Sequence, residues 1–193
     1  MAEAEPKSSN RPFFIAFVIG ALVLTGLPLL QSRFLKAPPP VMTLDAWAAS
    51  EQVSASALGG HVVLLQVELS PCDADCVTRV TEFGRLASHV SDLGDKIILV
   101  TLADDAAQTA LGELAKPASA AWRFAPPEPG VMAQLQRGLV KFLGADSTDF
   151  ARSHSIALLD QNGAVRGYWQ GDLAGRGNVV NAARLLAKKG PNP

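Results

Sequence analysis

The sequence predicts an α/β domain: a central mixed sheet flanked by helices, set behind one N-terminal transmembrane helix. Three observations carry that expectation. Residues 61–102 read as strand, helix and strand; residues 153–171 read as two strands joined at Asn162-Gly163; and residues 12–30 are apolar and uncharged. The first pattern pairs strands in parallel and the second pairs them antiparallel, so the sheet is mixed.

Taken in order, residues 1–11 form a short tail. Pro12 to Leu30, PFFIAFVIGALVLTGLPLL, spans about 28 Å as a helix, enough for a bilayer core. The residues after it, QSRFLKAPPP, carry Arg33 and Lys36 and no small-x-small cleavage pattern, so the run reads as an uncleaved anchor. Lys7 and Arg11 before the span nearly balance Arg33 and Lys36 after it. The orientation adopted is therefore the commoner one for a single N-terminal anchor: tail in the cytoplasm, C-terminal domain in the periplasm or an equivalent extracytoplasmic space. Residues 31–42 are a proline-rich linker, a stiff spacer between the membrane and a domain expected over 43–193. Trp47 reads as a core or lid aromatic.

Gly59-Gly60 turn the chain into HVVLLQVEL (His61 to Leu69), an apolar, β-branched run of strand length. After a short turn, Val77, Val80, Phe83, Leu86, Ala87, Val90 and Leu93 recur at helical spacing. DKIILVTL (Asp95 to Leu102) is a second buried strand, completing a βαβ unit. Asp104 to Lys116 reads as a short alanine-rich helix, Trp122 to Phe124 as a short strand, and Val131 to Leu143 as a helix. SHSIALLD (Ser153 to Asp160) and AVRGYWQG (Ala164 to Gly171) flank the Asn-Gly turn. A last helix over about Asn178 to Lys188 supplies Val179, Val180, Ala183, Leu185 and Leu186 to the sheet. A βαβ half followed by a hairpin and a final helix is the thioredoxin architecture.

Charge excludes one class of function. The first 36 residues hold four basic and two acidic residues, leaving 13 Lys and Arg against 16 Asp and Glu in the rest. Lys188-Lys189 is the only basic run there, so no footprint for nucleic acid is present.

The chemistry concentrates in SPCDADC, Ser70 to Cys76, which holds both cysteines of the chain. An i,i+4 spacing brings the two sulfurs to one side of a helical turn. The pair lies where a strand passes into a helix, and the helix start favours thiolate over thiol. A structural disulfide is one reading, but so short a loop gains little chain entropy. A redox couple or a metal-binding pair remains alongside it. Of the three histidines, His61 opens a strand and His89 sits on a helix beside Arg85 and Asp92, both ordinary solvated positions. His154 instead starts a hairpin strand that should end beside the cysteine turn. Cys72, Cys76 and His154 would form a soft, three-coordinate set, for which copper fits better than structural zinc or an iron–sulfur cluster.

The order of anchor, ALGGHVVLL strand, CxxxC turn, second strand ending in VTL, and HSIALLDQNGAV hairpin resembles the Sco/SenC family of copper-binding, thioredoxin-like proteins over about residues 43–190. The resemblance implies copper held by Cys72, Cys76 and His154, and delivery to the copper-bearing subunit of cytochrome c oxidase. It also implies an alternative, a thiol–disulfide oxidoreductase that keeps the subunit's cysteines reduced, with Cys72 attacking and Cys76 resolving. A metal-free binding module with a structural disulfide is the third reading. The chain departs from the family pattern in four places. Asp73 and Val77 replace the prolines that follow the cysteines, and Pro71 precedes the pair. Arg152 and Ser153 stand where an acidic residue precedes the histidine, and Ala103-Asp104-Asp105 replaces an Asp-Pro after the second strand. Asp73 and Asp75 oppose thiolate formation.

Overall fold

Seven residues of β2 (Val62–Glu68), all buried, lie next to seven of β3 (Ile97–Ala103), also all buried. The two run parallel from Val62 opposite Ile97 to Glu68 opposite Ala103. Both faces of such strands must be covered, and continuous apolar composition is the signature of that burial. The computed structural model describes residues 42–43, 53–115, 121–144 and 149–190. The chain divides into a unit of residues Met1–Lys36 and a unit of Ala37–Pro193, and every element below belongs to the second. The span expected over 12–30 and Trp47 lie outside the described residues. Among the described residues, no helix is long and apolar enough to cross a membrane.

The elements are β1 (Met42–Thr43), α1 (Ala55–Leu58), β2, α2 (Ala74–Gly84), α3 (Leu86–His89), β3, α4 (Asp105–Leu111), β4 (Trp122–Ala125), α5 (Pro129–Leu143), β5 (Ser155–Leu159), β6 (Ala164–Gln170) and α6 (Leu173–Lys189). Spatial order in the sheet is β1-β6-β5-β2-β3-β4. β4 extends the parallel half beside β3, while β5 runs antiparallel to β2 and β6 to β5. The two residues of β1 pair with Ala164 and Val165 at the far edge.

Strand parity sorts the core into two layers. Val62, Leu64, Ile97, Leu99, Ile156 and Leu158 face α2, α3 and α6, where Cys76, Val80, Phe83, Leu86, Val179 and Ala183 cover them. Val63, Leu65, Val67, Ile98, Val100 and Leu102 face the other way, onto Leu135 and Leu139 of α5 and onto Phe150.

Two helix starts lie three to five residues ahead of the apolar periodicity, each at a side-chain cap. The expected helix over Val77 to Leu93 starts at Ala74, because the Asp73 carboxylate accepts the Cys76 N–H and caps a turn whose buried residue is the cysteine itself, ahead of the aliphatic and aromatic stripe. It also breaks: α2 gives way at Arg85 to α3 and then to 3-10 turns over Ser91–Lys96, where Gly94 has φ +60°. The last helix starts at Leu173, five residues before Asn178, capped by Asp172 on the Gly175 N–H. Its first turn opens on Leu173, 81% exposed, and its buried position is Gly175, so no apolar side chain marks it as core-facing.

The hairpin turn is built on Asp160, whose carboxylate accepts the N–H groups of Asn162 and Ala164, while Gly163 takes φ +74°. Replacing Gly163 with Val forces a β-branched residue into the left-handed region, although nothing crowds its Cβ. The expected loss is about 1–2 kcal/mol, read as a lower urea midpoint at unchanged slope.

Candidate functional site

β2 ends at Glu68, and the chain passes through Leu69, Ser70 and Pro71 into Cys72 just before α2 begins. Cys72 and Cys76 are joined in a disulfide, with Cα atoms 5.2 Å apart. The two sulfurs do not share an environment. Cys76 is fully buried among the residues under α2, whereas Cys72 is only half-buried. An incoming thiolate therefore meets Cys72 first, with Cys76 as the leaving sulfur.

Three contacts hold this turn. Asp73, at the N-cap of α2, accepts the Cys76 N–H at 3.0 Å, and that bond holds its carboxyl below the ordinary range. Its negative charge stands at the helix start, where it works against a thiolate at Cys72. Asp104 follows β3 and caps α4 through the Ala107 N–H, and it also reaches across to Ser70. It accepts the Ser70 hydroxyl at 2.6 Å and the Ser70 N–H at 2.9 Å. The Ser70 hydroxyl, more than any other group, pulls the Asp104 carboxyl below its usual range. Beneath the turn, Glu68 is buried and takes a two-point ion pair from Arg79 on α2, Nε to Oε1 at 3.1 Å and Nη2 to Oε2 at 2.9 Å. Glu68 continues the parity of Val62 and Leu64, so it faces α2 and meets Arg79 there. The Glu68 carboxylate holds the Arg79 guanidinium still more firmly protonated than usual.

His154 precedes β5, whose Ala157 lies opposite Leu65 of β2. Continuing that antiparallel register brings His154 level with Glu68, at the same end of the sheet as the cystine turn. Its φ is +51°, the one positive value at a non-glycine residue among those described. Two features fix it there. The His154 carbonyl accepts the Gly171 N–H at 3.0 Å, and a Cβ on Gly171 would stand 2.7 Å from that carbonyl oxygen. Ser153 turns its hydroxyl to the backbone, donating to the Phe150 carbonyl and accepting the Ser155 N–H. The imidazole is exposed and lines a narrow cleft with Glu68, Arg79, Phe83, Gly171 and Arg176.

Topology therefore brings Cys72, Cys76 and His154 to one end of the sheet. Among the described residues, no group of three or more His, Cys, Asp or Glu side chains is gathered as a metal-ligand set. A cystine offers no thiolate. In donor chemistry the reduced pair plus one imidazole fits Cu(I), and the oxidised pair does not. His61 and His89 lie apart from this end: His61 precedes β2, and His89 ends α3. Sequence reasoning missed Glu68, Arg79, Asp104 and Gly171. Glu68 left a trace as a carboxylate at the end of a largely apolar strand, and Asp104 as the first residue of an expected helix, without the contacts either makes.

A mixed sheet with a cystine at the turn from its first long strand into a helix defines a thioredoxin-like protein. Among solved structures it is similar to BsSco, described as a member of the Sco family of cytochrome c oxidase assembly proteins with a disulfide switch. The TM-score is 0.55 at 13% identity, covering 79% of this chain and 97% of that one. A SCO1/SenC family lipoprotein from Bacillus anthracis gives a TM-score of 0.50 at 14% identity, covering 69% and 86%. A thiol:disulfide interchange protein of the thioredoxin family from Chlorobium tepidum gives 0.50 at 11%, covering 79% and 98%. No family model matches the chain, and no curated protein does. At these identities the likeness shows the fold.

The two anchors of the turn answer to different experiments. Arg79→Met leaves the buried Glu68 carboxylate without its partner and should cost about 3–5 kcal/mol in urea unfolding, most of it recovered when Glu68→Leu is added. Asp104→Ala should cost about 1 kcal/mol at neutral pH, the worth of a helix cap. Because folding lowers the Asp104 value, its contribution is complete above the ordinary 3.8 and disappears as the pH falls through the folded value. The difference between parent and Asp104→Ala should therefore shrink when the urea midpoints are measured again below that pH.

Proposed function

We propose that the chain is a membrane-anchored copper chaperone of the Sco kind, tethered by residues 12–30 with its domain outside the cytoplasm. With Cys72 and Cys76 reduced, it would take copper as cargo through the two thiolates and His154 and deliver it to the dinuclear copper site of cytochrome c oxidase. The observation that carries this reading is the placement of His154: a backbone held at positive φ presents an exposed imidazole at the end of the sheet where the cysteines lie. A residue with no task there needs no such restraint. The tether raises the effective concentration of the domain near a membrane-bound recipient.

One observation favours a second reading, thiol–disulfide exchange with the recipient's cysteines. The pair is a disulfide with one reachable sulfur. In that reaction the Cys72 thiolate of the reduced chain attacks a disulfide of the recipient and releases one recipient sulfur as a thiolate, which takes up a proton. The Cys76 thiol, losing its proton, then displaces the second recipient sulfur, which is protonated in turn, so the recipient's disulfide becomes two thiols and Cys72–Cys76 becomes the disulfide.

The full chain in neutral detergent separates the two. For a chaperone, the reduced chain should bind one Cu(I) and the oxidised chain none, and Cys72→Ser, Cys76→Ser and His154→Ala should each lose most of the affinity in competition with a Cu(I) chelator. For an exchange protein, His154→Ala should keep most of its exchange rate while both cysteine variants lose theirs. Cu(I) bound as tightly by His154→Ala as by the parent would overturn the three-ligand site.

A further inference from the structure

A groove of about 370 Å³ lies between α2–α3 and the N-terminal half of α6, a size typical of ligand sites. Its floor is apolar, from the buried Leu86 and Val180, and the exposed Leu173 stands at its edge. Three guanidiniums line it: Arg85, Arg176 and Arg184. Two carboxylates answer them. Glu82 is shared between Arg85 and Arg176, the latter at 3.4 Å, and Asp92 takes Arg184 at 3.0 Å. The Arg184 Nε is buried with no hydrogen-bond partner, a donor left without an acceptor. In a chain of net charge −1, this groove thus carries a local positive excess.

Arg176 also lines the cleft that holds His154, so the groove leads toward the candidate site. We propose that it docks an acidic segment of the polypeptide that the cysteine and histidine site serves. Carboxylates of that segment pair with Arg85 and Arg184, and an apolar side chain rests on Leu86 and Val180. Clustered arginines are a recurrent means of reading acidic motifs, because the planar guanidinium matches a carboxylate at two points. A bare inorganic anion would leave the apolar floor unused, and a flat anionic membrane surface would not fill a concavity. The identity of the docked polypeptide rests on the function proposed above; the groove's chemistry does not.

The test uses the full chain in neutral detergent and the peptide Gly-Glu-Leu-Glu-Glu-Gly carrying an uncharged fluorophore, read by anisotropy. The Glu peptide should bind at least about tenfold more tightly than its Gln counterpart, the worth of one charge-assisted contact. Binding should weaken as salt is added. Arg85→Gln, at a side chain 64% exposed and so replaceable without unfolding, should weaken it severalfold, and adding Arg184→Gln should weaken it further, with thermal melts confirming that both variants fold. Equal binding of the Gln peptide, or no effect of Arg85→Gln, overturns the proposal. So does displacement of the peptide by inorganic phosphate or by phosphatidylglycerol vesicles at comparable concentration. The assay involves neither thiol chemistry nor copper, so its failure leaves the chaperone and exchange readings standing, and their failure leaves the groove.

Discussion

The buried Glu68–Arg79 pair is the constraint on which the candidate site depends. A carboxylate at the end of a fully buried strand is expensive to desolvate, and a single guanidinium meeting it at two points is what makes that position tolerable. The consequence is geometric. Arg79 sits in the second turn of α2, so satisfying Glu68 fixes how far α2 is rotated and how close its first turn stands to the end of β2. The disulfide closes that same first turn. Packing of Val80 and Phe83 sets the distance between helix and sheet; the ion pair sets the helix's angular position.

Much of the fold was legible in the residues because it follows from short-range pattern. HVVLLQVEL and DKIILVTL announce buried parallel strands, and Asn162-Gly163 announces the hairpin turn. The helix starts were harder to read. At Asp73 and at Asp172 a side-chain cap begins a helix whose first turn buries a cysteine or a glycine rather than a large apolar side chain, so periodicity alone places the start several residues late.

The site was legible in its chemistry and illegible in its supports. Two cysteines at helical spacing and a histidine at the mouth of a hairpin strand can be found by type and topology. The groups that hold them cannot, because they meet across the fold. Asp104 and Ser70 are 34 residues apart, Glu68 and Arg79 are 11 apart, and the Gly171 amide finds the His154 carbonyl only once β5 and β6 are paired. The replacement of an Asp-Pro by Ala103-Asp104-Asp105 was visible as a departure from the Sco/SenC pattern. That Asp104 serves as both helix cap and clamp on the cysteine loop was not.

The unequal burial of the two sulfurs separates the two chemistries by what each demands of the backbone. Exchange at Cys72 can begin with every helix in place, since that residue is only half-buried. Sharing one ion between both sulfurs is different: Cys76 is fully buried in the layer that holds Val80 and Phe83, so an ion held by both would have to sit against that apolar layer or draw the first turn of α2 outward. If the chain is the chaperone proposed above, copper loading would therefore be a conformational event as well as a ligation. The rigidity of one helical turn, as much as the softness of the donors, would then set how readily the metal comes and goes.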